Sequence, residues 1–157
     1  MDTIYVTSPV GTLEIKGNQD GLSSLHFMDS EVTISNEIPE HLQKVVSQLK
    51  EYFEGTQTEF NLKLNPQGTE FQKKVWKLLG EIPFSKTVSY QTMANRLGDP
   101  KAIRAAAAAN GKNPIAIVIP CHRVIGKDGS LTGFTGGLHR KKWLLDHECP
   151  VKQQRLF

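Results

Sequence analysis

The 157-residue chain predicts an α+β fold in two segments: a small antiparallel sheet with one helix over residues 1–65, and a mainly helical part over 66–157 that carries a helix-turn-helix. Three observations carry this reading. Short apolar stretches broken by turn residues open the chain, later apolar residues recur at helical steps, and the charge reverses between the segments. Residues 1–65 hold four Lys and ten acidic residues, a net −6, whereas residues 66–157 hold fifteen basic residues and six acidic ones, a net +9. A basic segment points to a polyanionic partner, although a solvated lysine face is the commoner source of such a charge.

The composition, 38% hydrophobic and 22% charged, is that of an ordinary soluble protein. No apolar run approaches the roughly 20 residues that span a bilayer, and the start lacks the basic-then-apolar order of a secretory signal. The expected compartment is the cytoplasm, with access to the chromosome. Two cysteines, Cys121 and Cys149, make no disulfide framework, and neither has a partner at CxxC spacing. Free thiols and no metal site are expected.

The segments Ile4 to Val6 and Leu13 to Ile15 flank Ser8-Pro9-Val10-Gly11, and Leu22 to Phe27 follows the turn-rich 17–21, so the chain opens as hairpins. Leu42, Val45, Val46, Leu49 and Phe53 then lie on one helical face, with Gly55 placed to end the helix. Phe60, Leu62 and Leu64 alternate like a short strand. Pro66-Gln67-Gly68 marks the boundary, and Thr69 is the N-cap of a helix whose apolar positions are Phe71, Val75, Leu78 and Leu79. Ser89 caps a second helix through Leu97, Gly98-Asp99-Pro100 breaks it, and 101–109 forms a third. Two short helices around a Gly-containing turn make the helix-turn-helix candidate.

The third helix is narrow, because Ala105 to Ala109 is an unbroken alanine run with Lys101 and Arg104 on the turn before it. It fits a tightly packed internal helix, and it fits equally a backbone that presses into a DNA groove while Arg104 reaches the bases. After Asn113-Pro114 comes the apolar run 115–119, of strand length and composition, ending in Pro120-Cys121-His122-Arg123-Val124. A thiol at the end of a buried strand beside a histidine is a candidate nucleophile, and it is equally a small buried hydrophobe. Neighbours along a strand face opposite ways, so Cys121 and His122 need a bend or a bridging water to communicate.

The segment Asn113-Pro114-Ile115-Ala116-Ile117-Val118-Ile119-Pro120-Cys121-His122-Arg123-Val124-Ile125-Gly126, followed by Gly133-Phe134-Thr135-Gly136-Gly137-Leu138 and Trp143-Leu144-Leu145-Asp146-His147-Glu148, resembles the O6-alkylguanine-DNA alkyltransferase family. The likeness covers essentially all of 66–148 and is looser in the first half. It implies a ribonuclease H-like scaffold domain over 1–65 and a winged-helix-like domain for DNA binding and alkyl transfer over 66–157. It implies Cys121 as alkyl acceptor, His122 as the base acting on it through water, Glu148 orienting that histidine, Tyr90 donating to the departing purine and Asn113 bracing the turn. Arg104 would fill the space of a flipped-out nucleotide, and the helix bearing Ala105 and Ala108 would enter the minor groove. Apart from the resemblance, the basic residues Lys101, Lys112 and Arg123 could hold phosphates, although Arg123 serves equally well as a structural arginine. Val124, Phe134, Thr135 and Gly136 would wall the base pocket; Phe134 stands where many relatives have tyrosine, and Thr135 is bulkier than their serine or alanine.

The activity so implied is DNA repair by one irreversible transfer of an alkyl group from O6-alkylguanine, with O4-alkylthymine as a further substrate, by a monomer that needs no cofactor and acts on double-stranded DNA. Two rivals differ in class. One is a lesion-binding alkyltransferase-like protein without chemistry, which lacks the cysteine. The other is a Cys-His-Glu hydrolase, which turns over repeatedly.

Overall fold

The structure, a computed structural model, describes residues 1–131 and 133–149. Among them are a three-stranded antiparallel sheet and five helices, a mixed α+β architecture. The chain divides into two compact units: Met1–Gln67 together with Pro114–Ala116, and Gly68–Asn113 together with the chain from Ile117 onward.

In the first unit β1 (Asp2–Val6), β2 (Thr12–Asn18) and β3 (Gly21–Met28) form a meander in the order β1-β2-β3. Ile4 pairs with Ile15 and Ile15 with Leu25, a row of apolar side chains on one face, each at most 2% exposed. α1 (Glu40–Glu54) covers that face. Its buried positions are Leu42, Val45, Gln48, Leu49 and Tyr52, whereas Val46 and Phe53, expected on this face, are only half-buried. The stripe is rotated because Gln48 holds the following loop from inside: its Nε2 donates to the Asn61 carbonyl at 3.1 Å and its Oε1 accepts from the Asn61 N–H at 2.9 Å. Gly55 ends the helix at φ 84°, the left-handed conformation that glycine adopts without a Cβ penalty.

The alternating Phe60, Leu62 and Leu64 do not form a strand. Only Leu64 makes a bridge, to Leu22, through Leu22 N–H to Lys63 O and Asn65 N–H to Leu22 O. One rung suffices because Gln48 supplies the remaining backbone partners at Asn61. Gly21 sits against this rung at φ 130°, and a Cβ there would lie 2.8 Å from the Lys63 carbonyl oxygen.

The second unit is helical. α2 (Glu70–Leu79) starts in a capping box: Thr69 accepts from the Gln72 N–H, and the Gln72 side chain accepts from the Thr69 N–H. Its buried face is Val75, Trp76 and Leu79, and Phe71, expected inside, is exposed. Trp76 turns the helix this way, since its Nε1 donates to the Ala109 carbonyl at 2.9 Å. α3 (Tyr90–Arg96) is capped by Ser89, which accepts from the Thr92 N–H. α4 (Ile103–Gly111) begins two residues later than the sequence suggests, because Lys101 and Ala102 complete the turn. Two further strands of two residues each, β4 (Val88–Ser89) and β5 (Val124–Ile125), pair in parallel. α5 (Leu138–Glu148) closes the described chain. No helix among the described residues is long and apolar enough to cross a membrane.

Candidate active site

The apolar run 115–119 is not a strand. Ile115 makes a single bridge to Leu25, the next residues turn, and Ile117 sits at φ 71°. A β-branched residue in the left-handed region costs about 1–3 kcal/mol, and the strain is offset by burial, since Ile117 has no exposed surface. The turn continues into Pro120, whose φ of −81° and ψ of 64° with Cys121 N–H bonded to Ile119 O at 2.8 Å define an inverse γ-turn. A 3-10 turn over Cys121–Arg123 follows. Cys121 and His122 therefore need no strand bend of the kind first expected, because both leave the same tight turn. Asn113 braces it, donating from Nδ2 to the Ile119 carbonyl at 2.7 Å.

Three side chains, those of His122, Arg123 and Glu148, meet at this turn. His122, with no exposed surface, has Nε2 2.7 Å from Glu148 Oε2. A carboxylate only accepts, so Nε2 carries the proton and Nδ1 keeps its lone pair. Nδ1 is buried and has no hydrogen-bond partner among the described residues. Arg123 donates to the same carboxylate through Nε at 2.8 Å and Nη2 at 3.1 Å, and from Nη1 to the Ile82 carbonyl at 2.7 Å. Of the two roles open to Arg123, phosphate contact and structural arginine, the structure takes the second: the residue is 6% exposed and its guanidinium is committed to Glu148 and Ile82. The next residue, Val124, opens β5 and has no exposed surface, so the chain at Arg123 already runs inside.

Burial raises the Glu148 pKa, but the hydrogen bonds from His122 and Arg123 and the charge of Arg123 outweigh it and hold the carboxyl well below the usual range. Burial lowers the His122 pKa more than Glu148 raises it, so the resting imidazole is neutral. Burial likewise raises the Cys121 thiol, against the opposing pull of Asn113 and Lys141. The resting pair is thus thiol and imidazole rather than the thiolate and imidazolium that carboxylate–histidine contact alone suggests.

α5 presents Lys141, Leu144, Leu145 and Glu148 on one face at three- and four-residue steps. Lys141 was not anticipated from the sequence. It has no exposed surface, its Nζ donates to the Val124 carbonyl at 2.7 Å, and it lies 6.0 Å from the centroid of the Tyr90 ring. A sequence signal existed: Lys141 stands seven residues before Glu148, two turns along the same face, with buried leucines between.

The β4–β5 ladder pairs Val88 with Val124 and Ser89 with Ile125, so the residue after Ser89, Tyr90, starts α3 beside the Cys121 turn. Tyr90, Ile103, Arg104, Ala107, Gly111, Gly133, Phe134 and Thr135 line a pocket of about 490 Å³. Thr135 Oγ1 donates to the Gly111 carbonyl at 2.9 Å and ties the pocket loop to the end of α4. Of the expected pocket residues, Val124 is not among these walls: it has no exposed surface, and its carbonyl serves Lys141. Gly136 instead accepts from Arg140 Nη1 at 3.1 Å. Cys121 is 6% exposed and is not among the residues that line this pocket.

α4 has two faces. Ala106, Ala109 and Asn110 are buried, with Ala109 against Trp76, whereas Lys101, Arg104, Ala105, Ala108 and Lys112 are exposed. Internal packing and an open basic-and-alanine surface, posed as alternatives by the sequence, occupy opposite sides of one helix.

Family models match nearly the whole chain: the ribonuclease-like domain of 6-O-methylguanine DNA methyltransferase over residues 2–66 and its DNA-binding domain over residues 70–150. A methylated-DNA--protein-cysteine methyltransferase of Methanosarcina barkeri is 46% identical over 150 residues, covering 91% of this chain and 94% of its own. One from Mycolicibacterium paratuberculosis is 46% identical over 144 residues, covering 89% and 87%. The crystal structure of Mycobacterium tuberculosis OGT in complex with DNA superposes with a TM-score of 0.84 at 42% identity, over 95% of each chain.

Proposed function

The chain belongs to the 6-O-methylguanine DNA methyltransferase family and is a transferase, and from that premise we propose that it repairs alkylated DNA by moving the alkyl group from guanine O6 to Cys121, once per molecule. The observation that supports the reading best is the buried His122–Glu148–Arg123 network built on the two residues that follow Cys121, with Nδ1 of His122 without a partner among the described residues. In this mechanism the thiol proton passes to Nδ1 through a water, and Glu148 stabilises the imidazolium that forms. The sulfur lone pair attacks the alkyl carbon, the carbon–O6 bond breaks, and its electron pair leaves with the purine. Tyr90, on the pocket wall, donates to that purine. A thioether is not readily hydrolysed, so the product is permanent.

O6 is hidden in the base stack, so the nucleotide must be everted, at a cost of a few kcal/mol. Arg104 is exposed on α4 and also lines the pocket, the position from which a side chain fills the gap left in the duplex. Lys101 and Lys112 bracket the exposed face and hold phosphates. The same pocket would take O4-alkylthymine.

The test is to incubate the protein with excess duplex carrying one O6-methylguanine and to measure restored guanine and protein mass. The expected yield is about one methyl per protein, the limit set by a single consumed nucleophile. Repeated turnover would identify a hydrolase, and binding without transfer a lesion sensor. Cys121→Ser should bind the duplex and transfer nothing.

A further inference from the structure

The alkyl transfer outlined above assigns no part to Lys141, although a fully buried ammonium is among the most unfavourable groups a site can hold. We propose that Lys141 is a positioning residue for Cys121: its buried ammonium, hung from the Val124 carbonyl on the α5 face that carries Glu148, supplies the counter-charge of the thiolate and loses it when the sulfur is alkylated. The inference rests on the alkyl-transfer reading.

Geometry places the cation at the site. Val124 is three residues beyond Cys121 on the same turn and strand, the Nζ–carbonyl bond is 2.7 Å, and Tyr90 closes the other side at 6.0 Å. The ionisable groups packed around the sulfur are His122 and Arg123 on its own turn, Tyr90 on α3, and Lys141 and Glu148 on α5. Arg123 and Glu148 spend their charges on one another, and His122 is neutral at rest. Lys141 and Cys121 act on each other reciprocally. Burial pulls the lysine down to about 8, and the sulfur pulls it back up; the lysine in turn draws the buried thiol down. A guanidinium paired with a carboxylate cannot do this, and neither can a neutral imidazole.

The charge balance of the reaction then has a consequence. When the sulfur–carbon bond forms and the carbon–O6 bond breaks, the electron pair leaves on the purine, which takes up the proton that the thiol had given to His122, and the sulfur becomes a neutral thioether. Lys141 keeps its buried position but loses the anion that raised its proton affinity, so it releases its own proton more readily.

Iodoacetamide reacts with thiolate and needs no DNA, so this test fails separately from the repair assay. Alkylation of Cys121 is followed by mass of its peptide in the full-length chain, with circular dichroism and melting to verify folding of each variant. In the unmodified sequence the logarithm of the rate should rise with pH and bend to a shallower slope at about 8, where the pair begins to share one proton. Any bend from His122 lies below its ordinary 6.5, outside this window. Lys141→Met should react about tenfold more slowly at pH 7 and rise without the bend. Lys141→Arg should recover the rate at pH 7 and also lack the bend, because a guanidinium does not titrate there. A bend near 8 in Lys141→Met, or a Lys141→Arg no faster than Lys141→Met, overturns the assignment. If Lys141→Met does not fold, the unmodified sequence decides alone: Lys141 is titrated by NMR before and after carbamidomethylation of Cys121. Its pKa should fall by about one unit or more on alkylation, and an unchanged value overturns the proposal.

Discussion

In the proposed transfer Cys121 ionises in a place where burial opposes ionisation, and the neighbours that counter this are individually replaceable. Asn113 is the first: it bonds the Ile119 carbonyl and lowers the thiol. Asn113→Ala should slow methyl transfer at neutral pH and cost about 1 kcal/mol in a urea melt, the net worth of one buried hydrogen bond. A variant that transfers at the full rate would remove Asn113 from the site. Glu148 is the second, and its loss is more severe because the Arg123 guanidinium and the His122 ring both depend on it. Glu148→Gln leaves the Arg123 guanidinium buried without its anion and should cost about 3–5 kcal/mol, together with most of the transfer rate. A denaturation midpoint equal to that of the parent would show that Arg123 relaxes to solvent instead.

α4 is where packing and recognition divide along a single element, so neighbouring alanines should respond in opposite ways. Ala108 is exposed, and Ala108→Glu should leave the melting curve nearly unchanged, within about 0.5 kcal/mol, while abolishing duplex binding in a mobility-shift assay. Ala109 is 3% exposed and its carbonyl accepts from Trp76, so Ala109→Leu should overpack that contact and cost about 1–3 kcal/mol. Equal effects of the two substitutions on binding and stability would contradict the two-faced helix. Arg104→Ala tests the same element against the chemistry. It should reduce repair of duplex lesions far more than reaction with free O6-benzylguanine, which needs no eversion; equal losses on both substrates would assign Arg104 to the pocket alone.

For the molecule as a whole, the buried network predicts how stability follows pH. His122 has a lowered pKa when folded, so the unfolded chain binds the extra proton first, and stability falls as pH drops through the ordinary imidazole value near 6.5. Glu148 is lowered too, and its contribution is present above 4.5 and lost as pH falls below it. Both signs agree: the melting temperature should decline in two stages on acidification, beginning near pH 6.5 and steepening below 4.5. Melts across that range in Glu148→Gln should lack the second stage. A single decline confined to pH below 4.5 in the parent would mean that His122 is already protonated in the fold.

Local chemistry made much of this protein readable in advance. Helix ends at Gly55, Thr69 and Ser89 depend on residues within a few positions, and the charge reversal near residue 66 needs only counting. The Pro120-Cys121-His122-Arg123 core and its likeness to the alkyltransferases pointed, without coordinates, to the nucleophile proposed above. Tertiary structure decided the rest, because the deciding partners lie far along the chain. The run 115–119 is strand-like in composition, yet burial and the Asn113 brace hold Ile117 in a left-handed turn that a local signal disfavours. Arg123 reads equally as a phosphate contact or a structural arginine until Glu148, 25 residues away, and the Ile82 carbonyl, 41 away, take its donors. Lys141 reads as one more charge on a basic helix until α5 docks and buries it over Tyr90. Sequence determines which side chains a segment offers and where a helix starts or stops; which charge is desolvated is set by what packs against it, and desolvation is what turns an ordinary lysine, histidine or thiol into a group with altered proton affinity.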